Sequence, residues 1–159
     1  MIGNNIRNIT ERAVANLTAG GRTLATAESC TGGLLGKLLT DLPGVSSVYL
    51  GGAVSYANSA KVTLLGVSPE TLDRVGAVSE ETAREMAAGI RERLGADVGI
   101  STTGIAGPGG GSPEKPVGLV YVGYSDEKGT VAYRLDHDSS LSREEIRLLT
   151  AEFALSLIK

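Results

Sequence analysis

The chain has 159 residues, 42% of them hydrophobic and 21% charged, and a formal net charge of −3 at pH 7. That size and balance fit one globular domain with a substantial core and exclude a disordered or fibrous chain. Lys and Arg are nowhere concentrated, and one Phe, five Tyr and no Trp leave little on which to stack bases, so no nucleic-acid partner is expected.

Ile6, Ile9, Ala13, Val14 and Leu17 recur at helical spacing over residues 4–18, and Gly20-Gly21 supplies a stop, which predicts an amphipathic helix. Residues 22–27 then read as a short strand, Glu28-Ser29-Cys30-Thr31-Gly32-Gly33 as a tight turn, and residues 34–42 as a helix broken by Pro43-Gly44. A strand follows over residues 48–56, where Gly51-Gly52 permit a bend or a close approach, and a helix over residues 58–65. Ser68-Pro69-Glu70 and Ser79-Glu80-Glu81-Thr82 each join a capping hydroxyl to acids in a first turn, so two more helices start there, the second running to about Leu94. Beyond it come a strand over residues 96–103, a glycine-rich loop over 104–113, a strand pair over 117–124 and 130–135, and a last helix over 142–157. Strands alternating with helices predict a single α/β domain over residues 1–159, a three-layer α/β/α sandwich. The terminal hairpin makes its sheet mixed, though mainly parallel.

A single cysteine, Cys30, excludes an internal disulfide and fits a reducing compartment. With His137 the only histidine, a conventional Cys/His metal site cannot be assembled, and the carboxylates show no calcium-loop spacing. The first residues lack a basic start followed by an apolar run, and no apolar segment approaches the roughly 18 residues of a membrane span. A cytoplasmic protein that avoids the membrane is expected.

The turn at residues 28–33 places a hydroxyl where a strand ends and a helix begins, beside unpaired backbone amides. Such a group is either a nucleophile next to an oxyanion site or a helix cap followed by permissive glycines. A serine nucleophile also needs a base. His137 lies in the polar run Asp136-His137-Asp138-Ser139-Ser140 and reads as an exposed loop residue. Lysine is the other option, because a desolvated ammonium loses its proton near neutral pH and Ser-Lys pairs are a variant of triad logic. Lys61 stands where a side chain can cross the sheet edge toward Ser29, although its spacing alone favours a solvated helix lysine. Cys30 reads as a small buried residue. The loop over residues 104–113 is a ligand loop or a surface turn and matches no phosphate-binding fingerprint.

Taken together, the ordered blocks Ala27-Glu28-Ser29-Cys30-Thr31-Gly32-Gly33, Tyr56-x-Asn58-x-x-Lys61, Gly76-Ala77-Val78-Ser79, Gly104-Ile105-Ala106-Gly107-Pro108 and Lys115-Pro116-Val117-Gly118 resemble the CinA C-terminal domain family, the stand-alone nicotinamide-nucleotide amidases. The resemblance covers nearly the whole chain. It implies hydrolysis of nicotinamide mononucleotide to nicotinic acid mononucleotide and ammonia, with a pyridine nucleotide as partner, no cofactor or metal, and a homo-oligomeric assembly. Carried onto this chain, Ser29 is the nucleophile, Lys61 its base, and Tyr56 assists or orients Lys61. The resemblance further implies that amides around Thr31, Gly32 and Gly33, or the loop opening at Thr103-Gly104, receive the oxyanion. It places Asn58 among the substrate-binding residues and makes Arg143 and Arg147 candidates for the phosphate. Many relatives carry Gly-Asp-Arg before the last helix, whereas this chain has Leu141-Ser142-Arg143. A non-catalytic nucleotide-binding or regulatory module of the same fold is therefore the alternative.

Overall fold

The computed structural model describes residues 5–159. Helices and strands alternate as α1 (Ile6–Gly20), β1 (Leu24–Glu28), α2 (Leu34–Thr40), β2 (Tyr49–Val54), α3 (Asn58–Leu65), α4 (Pro69–Val75), α5 (Glu80–Leu94), β3 (Val98–Gly104), β4 (Leu119–Asp126), β5 (Gly129–Asp136) and α6 (Arg143–Ser156). Every expected element is present. Residue 4, where the first helix is expected to start, lies outside the described residues, and a short 3-10 turn, Val45–Ser47, is not foreseen by the sequence pattern.

Local chemistry accounts for most boundaries. In α1 the stripe Ile6, Ile9, Ala13 and Leu17 is buried, and Gly21 ends the helix in the left-handed conformation (φ 60°) that glycine adopts without a Cβ penalty. Ser79 caps α5 by accepting the Thr82 amide at 3.1 Å. At α6 the Ser142 hydroxyl accepts the Glu145 amide at 3.2 Å while the Glu145 carboxylate accepts the Ser142 amide at 2.8 Å, a complete capping box. Caps of this kind stabilise by about 1 kcal/mol each. The Leu141-Ser142-Arg143 segment therefore starts α6 soundly, and Leu141 packs against the core.

The sheet has five strands in the order β2-β1-β3-β4-β5. Strand β1 pairs in parallel with β2 and β3, while β4 is antiparallel to both β3 and β5, so β4 alone opposes the common direction. The architecture is the expected α/β sandwich with a mixed sheet around a parallel core. Leu24, Val98, Ile100, Val120 and Val122 form one core layer with residues of α1, α2 and α6. Ala25 and Ala27 form the other with Leu65, Met86 and Ile90. Central β1 is thus buried along its whole length, as a strand covered on both faces must be. Helix α5 approaches the sheet closely: Ser101 Oγ donates to the Ala83 carbonyl at 2.6 Å, and a Cβ at Gly123 would stand only 2.2 Å from that oxygen.

Glu28, Val54 and Thr102 are in register at the carboxyl ends of the three parallel strands. The chain runs outward from β1 to β2 and then crosses back to β3 on the other side. The crevice beyond such a reversal is where open α/β sheets bind ligands.

Candidate active site

Where β1 ends, the Ser29 amide donates to the Thr102 carbonyl at 2.9 Å and the Ser55 amide donates to the Glu28 carbonyl at 2.8 Å, which ties the ends of three strands together. The chain then reverses through Gly32 (φ 59°) and Gly33 (φ 100°), conformations that other L residues adopt only with strain. The Gly32 amide closes the turn on the Ser29 carbonyl at 3.1 Å. It is therefore committed within the turn. Among the described residues, neither the Cys30 nor the Thr31 amide has a backbone acceptor.

A residue to which the sequence pattern assigns no site role completes this turn. Glu28 is 2% exposed, and its carboxylate accepts the amides of Leu35 at 2.8 Å and Gly36 at 3.1 Å. The start of α2 is thus occupied by the chain's own acid rather than left open to a ligand. The signal is there in the sequence: an acid between a strand and a helix-starting Gly-Gly pair can serve as an internal cap.

Lys61 lies in the first half of α3 and is only 1% exposed, so the solvated helix position favoured by spacing alone does not occur. Its Nζ donates to Ser29 Oγ at 2.9 Å, to the Ser55 carbonyl at 2.7 Å and to the Tyr56 carbonyl at 3.1 Å. These three acceptors match the three protons of an ammonium. None is a carboxylate. Burial drives the pKa of Lys61 below its ordinary 10.5, because desolvation penalises the charged form. In the neutral amine two N–H groups remain on the two carbonyls, and the lone pair faces the serine hydroxyl.

Ser29 and Lys61 open into a cleft of about 270 Å³ whose walls include Tyr56, Ala77, Val78, Thr103, Ile105 and Gly107. The Ala77-Val78 wall is held by hydrogen bonds: Thr103 Oγ1 donates to the Ala77 carbonyl at 2.7 Å, and Ser79 Oγ and Thr82 Oγ1 both donate to the Gly76 carbonyl. At the mouth stands Arg143, which donates to the Gly107 carbonyl at 2.8 Å and to the Tyr56 hydroxyl at 3.1 Å. Both acceptors are uncharged. A cation in the first turn of α6 opposes the helix dipole, so an anion bound at the mouth would relieve an existing electrostatic cost.

The remaining expected site residues fall in several places. Tyr56 meets Lys61 through its carbonyl, not its phenol; the residue is 62% exposed, and its hydroxyl accepts from Arg143. Thr103 and Gly104 line the cleft. Thr31 is fully buried and absent from the cleft lining, its side chain turned inward with the hydroxyl donating to Glu28 at 2.7 Å. Gly33 is half-buried at the start of α2. Asn58 is the first residue of α3, exposed and away from the cleft lining. Arg147 braces the turn from behind, donating to the carbonyls of Cys30 at 3.2 Å and Thr31 at 2.7 Å.

Cys30 is buried beside Ser29, and burial pushes its thiol up to about 12, away from the thiolate form that reactivity needs. His137 is half-buried rather than exposed, with Nε2 3.2 Å from Thr150 Oγ1 and a pKa lowered by burial. A larger hollow of about 670 Å³ lies between α5 and the β4–β5 turn, but its charged walls (Arg91, Glu92, Asp126, Glu127 and Lys128) mix both signs. Among the described residues no group of three or more His, Cys, Asp or Glu side chains converges on a metal position, and no helix is long and apolar enough to cross a membrane.

Comparison with known proteins gives a consistent result. The family model of the CinA C-terminal domain matches residues 6–159. A CinA-like protein of Synechocystis sp. is 54% identical over 140 residues, which cover 87% of this chain and 34% of that protein. A CinA-like protein of Kosmotoga olearia is 50% identical over 94% of this chain and 36% of its own length. The chain thus spans about a third of the curated relatives it matches. The crystal structure of the competence/damage inducible protein CihA from Agrobacterium tumefaciens superposes with a TM-score of 0.94 at 42% identity, covering 99% of this chain and 95% of that one. A CinA superfamily protein from Escherichia coli superposes with a TM-score of 0.91 at 35% identity, covering 98% and 91%.

Proposed function

Taking as premise that the chain belongs to the CinA C-terminal domain family, we propose that it is a metal-independent serine amidohydrolase acting on nicotinamide mononucleotide. The observation that carries this reading is the 2.9 Å contact between Lys61 Nζ and Ser29 Oγ, inside a cleft, with no acid to hold the lysine charged. A hydroxyl within reach of a desolvated amine is the arrangement that acyl transfer by a Ser-Lys pair requires.

In the first half-reaction neutral Lys61 takes the Ser29 proton as Oγ attacks the carboxamide carbon. The resulting oxyanion is received by the Cys30 amide, which lies at the cleft wall without a backbone acceptor and is fixed before the charge develops. Lys61 then returns its proton to the amide nitrogen, the C–N bond breaks, and ammonia leaves an acyl-serine behind. Water, deprotonated by Lys61, attacks that ester, and collapse releases nicotinic acid mononucleotide with the proton restored to Ser29. The flat pyridine ring lies along Ala77, Val78 and Ile105, and the phosphate faces Arg143 at the mouth.

The test is ammonia release from nicotinamide mononucleotide. Release by the intact protein that disappears in Ser29→Ala and Lys61→Ala supports the assignment. No release by the intact protein, or undiminished release by either variant, overturns it; calorimetric binding without product would then favour a non-catalytic module.

A further inference from the structure

The hydrolytic steps above make no use of one buried acid next to the nucleophile. Glu28 ends β1, and besides the Leu35 and Gly36 amides it accepts the Thr31 hydroxyl at 2.7 Å. Because Thr31 gives its only hydroxyl proton to Glu28, the 2.7 Å contact between Thr31 Oγ1 and Thr102 Oγ1 is donated by Thr102. A directed chain therefore runs from β3 through the turn to the carboxylate. The main chain of the same residue leads the other way: the Glu28 carbonyl accepts the Ser55 amide at 2.8 Å, and the Ser55 carbonyl accepts Lys61 Nζ at 2.7 Å.

We propose that Glu28 is the positioning residue of the Ser29–Lys61 pair, its side chain fixing the turn that carries the serine and its main chain fixing the strand end that holds the lysine. The inference rests on the amidase reading of the site. Its physical basis is that a buried carboxylate is tolerated only with its acceptor positions filled, and every donor to the Glu28 carboxylate comes from the turn or the first residues of α2. The turn itself is intrinsically loose, since Gly32 and Gly33 restrict the backbone little. Helix α2 has no side-chain cap at Gly33, and its two amides on Glu28 are charge-assisted bonds that anchor it. Space beneath the helix is already filled: a Cβ at Gly36 would stand 3.2 Å from the Tyr49 hydroxyl and 3.8 Å from Glu28 Oε2.

Labelling of Ser29 by a fluorophosphonate, read as a second-order rate per molecule that labels, tests this without relying on the natural substrate. Glu28→Gln keeps the shape but turns an NH₂ donor onto an N–H or O–H donor, so labelling and kcat should both fall roughly 10- to 100-fold with KM unchanged, the effect of a misplacement on the order of an ångström. Thr31→Val, close in volume, removes one of the donors and should cost several-fold; it decides the matter if Glu28→Gln does not fold. A residue needed only for stability would lower the fraction of molecules that label while leaving the rate of the rest intact, and that result overturns the proposal. Wild-type protein that labels no faster than Glu28→Gln also overturns it while sparing the amidase reading. Wild-type protein that fails to label at all removes the nucleophile and this inference together.

Discussion

Lys61 Nζ lies 2.9 Å from Ser29 Oγ, and its other two partners are main-chain carbonyls that can only accept. Those carbonyls hold the amine in place in either protonation state, so loss of a proton turns the lone pair toward the serine without moving the side chain. If this pair is the catalytic unit, removing either member should remove nearly all of its effect. Ser29→Ala and Lys61→Ala are each expected to lower kcat for ammonia release on the order of 10³-fold or more, and the double variant to be no worse than the singles. Additive losses in steady-state assays would show that the two act separately.

Burial lowers the Lys61 pKa below 10.5, which has two consequences of fixed sign. The base works when neutral, so kcat/KM should rise with pH through the folded-state pKa. In the interval between that pKa and the unfolded value of 10.5 the unfolded chain binds more protons, so stability conferred through this group also rises with pH, by about 1.4 kcal/mol for each unit of depression. Denaturant melts of wild type and Lys61→Met should therefore show the wild type gaining on the variant as pH climbs toward 10.5. A constant gap would mean that the lysine titrates normally.

Tyr56 supplies a carbonyl to Lys61 and a hydroxyl to Arg143. Tyr56→Phe keeps the first and loses the second, so kcat should stay within roughly threefold of wild type while KM rises. Arg143→Ala should raise KM for the mononucleotide about 10- to 100-fold, as expected for loss of a charged hydrogen bond, with little change for the uncharged nucleoside. Equal effects on both substrates would move the phosphate elsewhere.

The Cys30 thiol, pushed up to about 12, should resist iodoacetamide in the native protein near pH 8 and react once the chain is unfolded in denaturant. Cys30→Ala should retain turnover. Rapid native alkylation would contradict the burial.

Packing of α5 on the sheet offers a test of the fold. Gly123→Ala would force a Cβ to 2.2 Å from the Ala83 carbonyl, and overpacking of this kind costs about 1–3 kcal/mol. Chemical denaturation of the variant should show that loss with an unchanged m-value.

Much of the fold is legible in the amino-acid sequence. Hydroxyl caps at Ser68 and Ser79, the stripe Ile6-Ile9-Ala13-Leu17 and the alternation of strands with helices place the elements, because each depends on neighbours within a few residues. The co-occurrence of motifs nominates Ser29 and Lys61, while local spacing points Lys61 toward solvent. Its burial, the Tyr56 carbonyl as the group that meets it, and the filling of the α2 start by Glu28 emerge only in the folded chain. Lys61 and Ser29 are 32 residues apart, and what brings them together is the parallel pairing of β1 with β2, which aligns Glu28 with Val54. Strand order and register are properties of the whole sheet. Residue types and their order nominate the candidate pair; the tertiary structure decided which atoms meet and which charges lose their water.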